Sequence, residues 1–341
     1  MNKKGAKKMK KSLPVLILSL LCAVLLTACG TTTEKTSGGA EAITIRLAEV
    51  QPADYPTTDG DKKFAEIVKE KTNGRINIEV YPGGTLGDEN SVVSQVQSGG
   101  TVDMTRVSSA TLTSFNSKMG LFALPYLFKD VNQEWAFLNS SKGQEMLKDL
   151  QSSNMMGLAY YESGARSFYS IKPLTKLADL NGQKIRVQQS AITLDMVTAL
   201  GANPIVMPYG DVFGALQTGT IDAAENNAPS YDSASHYTVA KNYILDGHQR
   251  VPEVLLISLA SWNKLSPEDQ KILQDAATAS VATERESWDK YDKKSMEKIK
   301  AAGVTITSVD NIADWQEAVK PVLDKDGAQF KDLIDYIHTL K

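Results

Sequence analysis

Between Pro267 and Gly303 the chain contains no glycine or proline, and Ser266-Pro267-Glu268-Asp269 opens that stretch as a helix does. Serine caps the first turn and proline occupies the first helical position, where its missing N–H costs nothing. A helix of roughly 36 residues rises about 50 Å at 1.5 Å per residue. One compact lobe does not need that length, so the helix is expected to run as a strut across two. The chain length agrees: about 300 residues beyond the N-terminal segment exceed one comfortable core.

The rest of the pattern predicts α/β lobes. Ile43-Thr44-Ile45-Arg46-Leu47 alternates apolar and polar residues, as does the run Ile76, Ile78, Val80, and each reads as a half-buried strand. Phe64, Ile67 and Val68 mark a helix stopped by Asn73-Gly74. Val92, Val93 and Val96 mark another, closed at Ser98-Gly99-Gly100, and Val102–Val107 is the next strand. Strand, helix, strand, helix, strand in this order argues for a parallel sheet. From near Met156 the same grammar recurs. Leu158–Tyr161 and Lys184–Val187 read as strands, Leu194–Leu200 and Val212–Thr218 as helices ended by Gly201 and Gly219, and Ile221–Ala224 as a short strand.

The first thirty residues have a different character. Lys3, Lys4, Lys7, Lys8, Lys10 and Lys11 precede an apolar run from Leu13 to Ala28 that is short for a membrane span, which takes about 20 residues. It suits the apolar core of a secretory signal. Leu26-Thr27-Ala28-Cys29 resembles the bacterial lipoprotein signal, in which the peptide is cut before the cysteine and that cysteine is acylated; the alternative is a plain signal peptide with an incidental cysteine. Residues 1–28 are therefore expected to be removed, Cys29 to carry lipid at the outer face of the membrane or in the periplasm, and residues 29–42 to form a polar tether.

Composition excludes several functions. Cys22 and Cys29 are the only cysteines, so the folded body has no disulfide framework, CxxC pair or thiolate metal site. Without residues 1–28, 31 basic residues face 40 acidic ones, scattered and without a basic block. Nucleic acid therefore lacks its electrostatic footprint. GxSxG, HExxH, Walker A and GxGxxG motifs are absent, and Pro82-Gly83-Gly84-Thr85-Leu86-Gly87 lacks the Lys-Ser/Thr of a phosphate loop and reads as a turn. His236, His248 and His338 are dispersed, and His236 reads as a surface histidine in a serine-rich turn. No cofactor, metal or enzymatic activity is expected.

Binding chemistry is better supplied. Arg166 follows a strand, and Arg186 sits inside one between Ile185 and Val187, so its side chain takes the face opposite theirs. Two guanidiniums at strand ends suit a carboxylate, because each offers a planar fork matching two oxygens. Either arginine can instead make an internal ion pair.

A family resemblance sharpens this. Gly182-Gln183-Lys184-Ile185-Arg186-Val187, Leu200-Gly201-Ala202-Asn203-Pro204-Ile205-Val206-Met207-Pro208-Tyr209 and Ala215–Asn227 closely resemble the substrate-binding subunit of TRAP (tripartite ATP-independent periplasmic) transporters. Phe122–Phe128 and Gly87-Asp88-Glu89 do so too, and the likeness runs from about Ile43 to the C-terminus. It implies a two-lobed α/β fold of the type II periplasmic-binding-protein kind, with a cleft, hinge strands and a long spanning helix. The lobes would be residues 43–163 with 252–291, and 164–251 with 292–341. It also implies membrane permease subunits as partners.

Position by position, the resemblance makes Arg186 the partner of a substrate carboxylate and Arg166 its companion. Asn226 bonds the same carboxylate, Glu225 orients Arg186, and Tyr209 packs on the ligand. Glu49, Glu89 and Ser108 select the rest of the molecule. Gln188, Asp211 and Phe213 depart from the usual pattern and are expected to reshape the pocket wall. The stretch Glu225–Tyr231 with His236-Tyr237 looks most like the hexuronate branch. A polyol tail agrees with Glu49 and Glu89, since carboxylates accept hydrogen bonds from hydroxyls. A C4-dicarboxylate would want a second basic clamp, for which Arg106 is the candidate. A lipid-anchored hydrolase is disfavoured by the missing nucleophile–base pair, while a lobe that presents ligand to a membrane receptor would share every binding residue.

Overall fold

The computed structural model describes residues 42–341. The signal segment, Cys29 and almost all of the tether lie outside the described residues. Eleven strands follow in chain order: β1 (Ile43–Ala48), β2 (Ile76–Tyr81), β3 (Met104–Ser108), β4 (Met155–Tyr161), β5 (Ala165–Ser170), β6 (Lys184–Val187), β7 (Asn203–Val206), β8 (Ala223–Asn226), β9 (Asn242–Arg250), β10 (Glu253–Ser258) and β11 (Thr305–Ser308). They form two sheets, ordered β2-β1-β3-β10-β4 and β11-β9-β5-β8-β6-β7, each with helices packed on it. Among the described residues no helix is long and apolar enough to cross a membrane.

The three strands read from Ile43 to Val107 run parallel as expected, but the strands that join them make both sheets mixed. β1 pairs in parallel with β2 and β3, but β10 lies antiparallel between β3 and β4. β5 is likewise antiparallel to β8 and β9. The cause is one exchange of strands. The strand beginning the block near Met156 is β4, which belongs to the first sheet, and β10 returns to that sheet after the second is nearly complete. β10, Glu-Val-Leu-Leu-Ile-Ser, is buried at every position and so carries no alternation to read.

The two crossings run side by side. Glu162-Ser163-Gly164 joins β4 to β5, and Val251-Pro252 joins β9 to β10. Ser163 Oγ donates to Val251 O, and Tyr161 faces Glu253 just as Ala165 faces Arg250. Gly164 has φ +62°, and a Cβ there would lie 3.1 Å from the Trp288 ring. Only glycine turns the chain this way against that ring without strain.

The strut forms as Pro267–Ala301, with Ser266 Oγ accepting from Asp269 N at 3.1 Å. Its first half buries Leu273, Ala276 and Ala277 with Phe64, Ile78 and Leu255, and its last turns bury Ile299 with Tyr231 and Tyr243. The end of the chain packs on both lobes. Trp315 and Val319 pack on the second sheet, but Val322, Phe330 and Ile337 join the first-lobe cluster around Phe122 and Leu127. Gln133 Nε2 fastens that end by donating to Ile337 O and Leu340 O at 3.1 and 3.2 Å. Burying a side chain such as Ile337 contributes about 1.5–3 kcal/mol, so this apolar face goes where it finds cover.

Candidate functional site

The order β5-β8-β6 sets the site. β8 pairs antiparallel with β5, opposing Ser167 to Asn226 and Phe168 to Glu225, and parallel with β6, opposing Arg186 to Ala224. Arg166, the Glu225-Asn226 pair and Arg186 therefore meet on neighbouring strands. Ile185 and Val187 are in the core, so Arg186 takes the other face.

The two arginines differ in how they are held. Arg166 donates from Nε to Glu225 Oε2 at 2.5 Å and from Nη2 to Glu225 Oε1 at 2.9 Å; Nη1 reaches Asn226 Oδ1 at 3.0 Å. Its fork is taken up by Glu225. Arg186 is also buried, yet its only hydrogen bond among the described residues runs from Nε to Met207 O at 2.9 Å. Its Nη groups are left for the cavities it lines. Glu225 thus holds Arg166, not Arg186 as expected.

Behind this pair lies a second layer. His248 Nδ1 is 2.8 Å from Asp246 Oδ2, and Nε2 is 3.5 Å from Glu225 Oε2. Burial pushes the imidazole's pKa down, but Asp246 and then Glu225 outweigh it and raise it to about 9. Burial pushes the Glu225 carboxyl up, but Arg166 and then His248 bring it down to about 2. Both are charged near neutral pH. His236, expected at the surface, is fully buried, with Nδ1 2.7 Å from the Tyr169 hydroxyl and its ring edge-on to Tyr209. Burial, then the charge of Arg186, lowers its pKa to about 3 and keeps it neutral.

The first lobe supplies the opposite wall. Arg106 donates from Nε to Glu49 Oε2 at 2.8 Å and from Nη1 to Glu253 Oε2 at 2.6 Å, and Nη2 pairs with Glu49 Oε1. Glu89 Oε1 is a further 3.6 Å neighbour. The charge of Arg106 is already met by three carboxylates, which corrects its reading as a spare clamp. Glu49 also accepts from Gln51 N at 2.7 Å and Thr57 Oγ1 at 2.9 Å, and it lines neither cavity. It buttresses Arg106 instead of facing a ligand. Glu89 does line both cavities, accepting from Thr111 Oγ1 at 2.8 Å and Ser108 N at 3.3 Å. Burial and then the charge of Glu253 raise its pKa to about 7.

Between the walls lie a cavity of about 500 Å³ and a narrow one of about 20 Å³, sharing Val50, Glu89, Arg186, Gln188 and Tyr209. The narrow one reaches Arg106, Arg166, Asn226 and Glu253. Gln188 lines both and receives a 3.4 Å hydrogen bond from Ser108 Oγ across the cleft; Asp211 lines the wide one, and Phe213 neither. Tyr209 donates to Ser230 O at 3.0 Å. Tyr55 and Ser230, 2.8 Å apart through their hydroxyls, bridge the lobes as well. Sequence reasoning missed Glu253, Gln51, Tyr55, Asn227 and Ser230. Of these Asn227 and Ser230 stood inside the quoted stretch Glu225–Tyr231, and nothing local marks the others.

A site of this build binds rather than reacts, and comparison with known proteins agrees. The family model for bacterial extracellular solute-binding protein, family 7, matches residues 47–329. The chain belongs to this family. A TRAP periplasmic solute-binding protein from Xanthobacter autotrophicus, solved with bound β-D-galacturonate, is 43% identical with TM-score 0.85, covering 87% of this chain and 100% of its own. One from Pseudomonas putida, solved with D-glucuronate, is 38% identical with TM-score 0.86, covering 88% and 98%. The 2,3-diketo-L-gulonate-binding periplasmic protein YiaO of Escherichia coli is 32% identical over 80% of this chain and 84% of its own. The protein is an extracytoplasmic solute receptor of transport and not an enzyme. Among the described residues no group of histidines or carboxylates is set to hold a metal.

Proposed function

We propose that the pocket captures a hexuronate, of the glucuronate or galacturonate kind, and hands it to a TRAP permease. The observation that carries this reading is Arg186: buried, anchored at Nε, with no hydrogen bond from either Nη among the described residues, and lining both cavities. Such a fork takes a carboxylate bidentately, and Asn226 beside it offers an amide for the same group. Arg166, fixed by Glu225, adds charge from behind, and Tyr209 supplies a ring for the sugar face. The opposite wall carries Glu89 and Glu253, acceptors suited to hydroxyls. A cavity of about 500 Å³ falls in the range of small-ligand sites. The three carboxylates around Arg106 argue against a C4-dicarboxylate.

A thermal-shift screen against uronates, aldonates and dicarboxylates tests the proposal. A hexuronate at 100 times its dissociation constant should add about 2.7 kcal/mol of stability. A shift with succinate or malate and none with either uronate would refute it.

We further propose that Cys29 is acylated after cleavage and tethers the receptor to the membrane. Cys29→Ser should move it out of the membrane fraction; unchanged retention without lipid on residue 29 would exclude the anchor.

A further inference from the structure

The two walls of the pocket carry opposite net charge. On the second-lobe side Arg166 and Arg186 are balanced by one carboxylate, Glu225. On the first-lobe side Arg106 faces Glu49, Glu253 and Glu89. The first set leaves one positive charge over, and the second, with Glu89 ionised, leaves two negative ones. Glu89 and Glu253 line the narrow cavity with Arg186, and the wide cavity's lining sets Arg186 alone against Asp88, Glu89 and Asp211.

We infer that Glu253 and Glu89 form a charge filter that admits sugar acids with one carboxylate and rejects the diacids that carry a second at the far end. The inference rests on the proposal that the pocket takes a sugar acid. A second ligand carboxylate at the first-lobe wall meets an Arg106 whose single charge is already shared by three carboxylates, with Nε and Nη2 engaged by Glu49, Nη1 by Glu253, and Glu89 3.6 Å away. It would be the fourth carboxylate around one guanidinium, and like charges brought together in a desolvated pocket are strongly disfavoured. A hydroxyl in the same place donates to Glu89 or Glu253 instead. The sheet holds Glu253 firmly in this position, because the residue opens β10 directly after the Val251–Pro252 crossing, in register with Ser108 and Tyr161.

Glu89 faces Arg106 from β3, Glu253 from β10 and Arg186 from β6, besides Thr111 and the Ser108 amide. Burial and Glu253 hold its pKa at about 7, so protons weaken the filter in the neutral range. Diacids should gain affinity relative to monoacids as the pH falls from about 8 to about 6.

D-galactonate and galactarate test this, being open-chain acids of one stereochemistry that differ only in a hydroxymethyl or a carboxylate at one end. Each is titrated calorimetrically in competition with D-galacturonate. Galactarate should bind about 100-fold more weakly than galactonate. Glu253→Gln and Glu89→Gln should each shrink that ratio about tenfold, whatever happens to absolute affinity. Should Glu253→Gln fail to fold, Glu89→Gln and the wild-type pH series carry the test. Galactarate within about threefold of galactonate, or a ratio unmoved by Glu89→Gln and by pH, would overturn the filter. Absence of galacturonate binding would instead overturn the proposal beneath it.

Discussion

Arg186→Ala is expected to weaken hexuronate binding roughly 30-fold to several thousand-fold. In the proposed complex the guanidinium fork meets the ligand carboxylate, and removing one partner of such a pair costs about 2–5 kcal/mol. At about 1.4 kcal/mol per decade, that gives the stated range. Arg186→Lys should recover little, because an ammonium cannot reproduce a planar two-point contact. The ligand-free protein should lose much less stability, since Nε–Met207 O is the one hydrogen bond given up among the described residues. Calorimetry with parallel unfolding separates the two effects. Binding within about threefold of wild type would remove Arg186 from the clamp.

Glu225→Ala should do the reverse, unfolding the protein more readily before any ligand is considered. Glu225 is fully buried, accepts from Arg166 and lies 3.5 Å from His248 Nε2. Stripping the carboxylate leaves the buried Arg166 without its ion-pair partner, and breaking a buried pair in this way costs about 3–5 kcal/mol. The pH dependence carries a sign. The folded-state pKa of Glu225 is depressed from 4.5 to about 2, so its contribution is present above 4.5 and is lost as the pH falls toward 2. Chemical unfolding at pH 7 should therefore show a large gap between wild type and Glu225→Ala, closing steadily below pH 4.5. A gap that stays constant with pH would mean that packing, not charge, is lost.

How far these residues could be read in advance depended on how local their physics is. Val212–Thr218 forms with the stop at Gly219, and the strut forms from Pro267, because caps and breakers act within a turn. The side of Arg186 followed from Ile185 and Val187 for the same reason. The partners of Arg106 lie 57, 17 and 147 residues away in sequence, at Glu49, Glu89 and Glu253, and only the packing of β1, β3 and β10 brings them together. Glu225 was assigned to the wrong arginine because β8 lies between β5 and β6, an order with no sequence signal. His236 was misjudged because its serine neighbours suggest a turn at the surface, whereas Tyr169 and Tyr209 bury it from elsewhere in the chain.

The central claim is that the second-lobe wall holds the ligand's carboxylate and the first-lobe wall its hydroxyls. The crystal structure of the D-galacturonate complex measures this directly. A carboxylate oxygen is expected within about 3 Å of Arg186 Nη, with Asn226 as a second donor and Glu89 or Glu253 facing sugar hydroxyls. A carboxylate bound instead at Arg106, with Arg186 left to solvent, would contradict it.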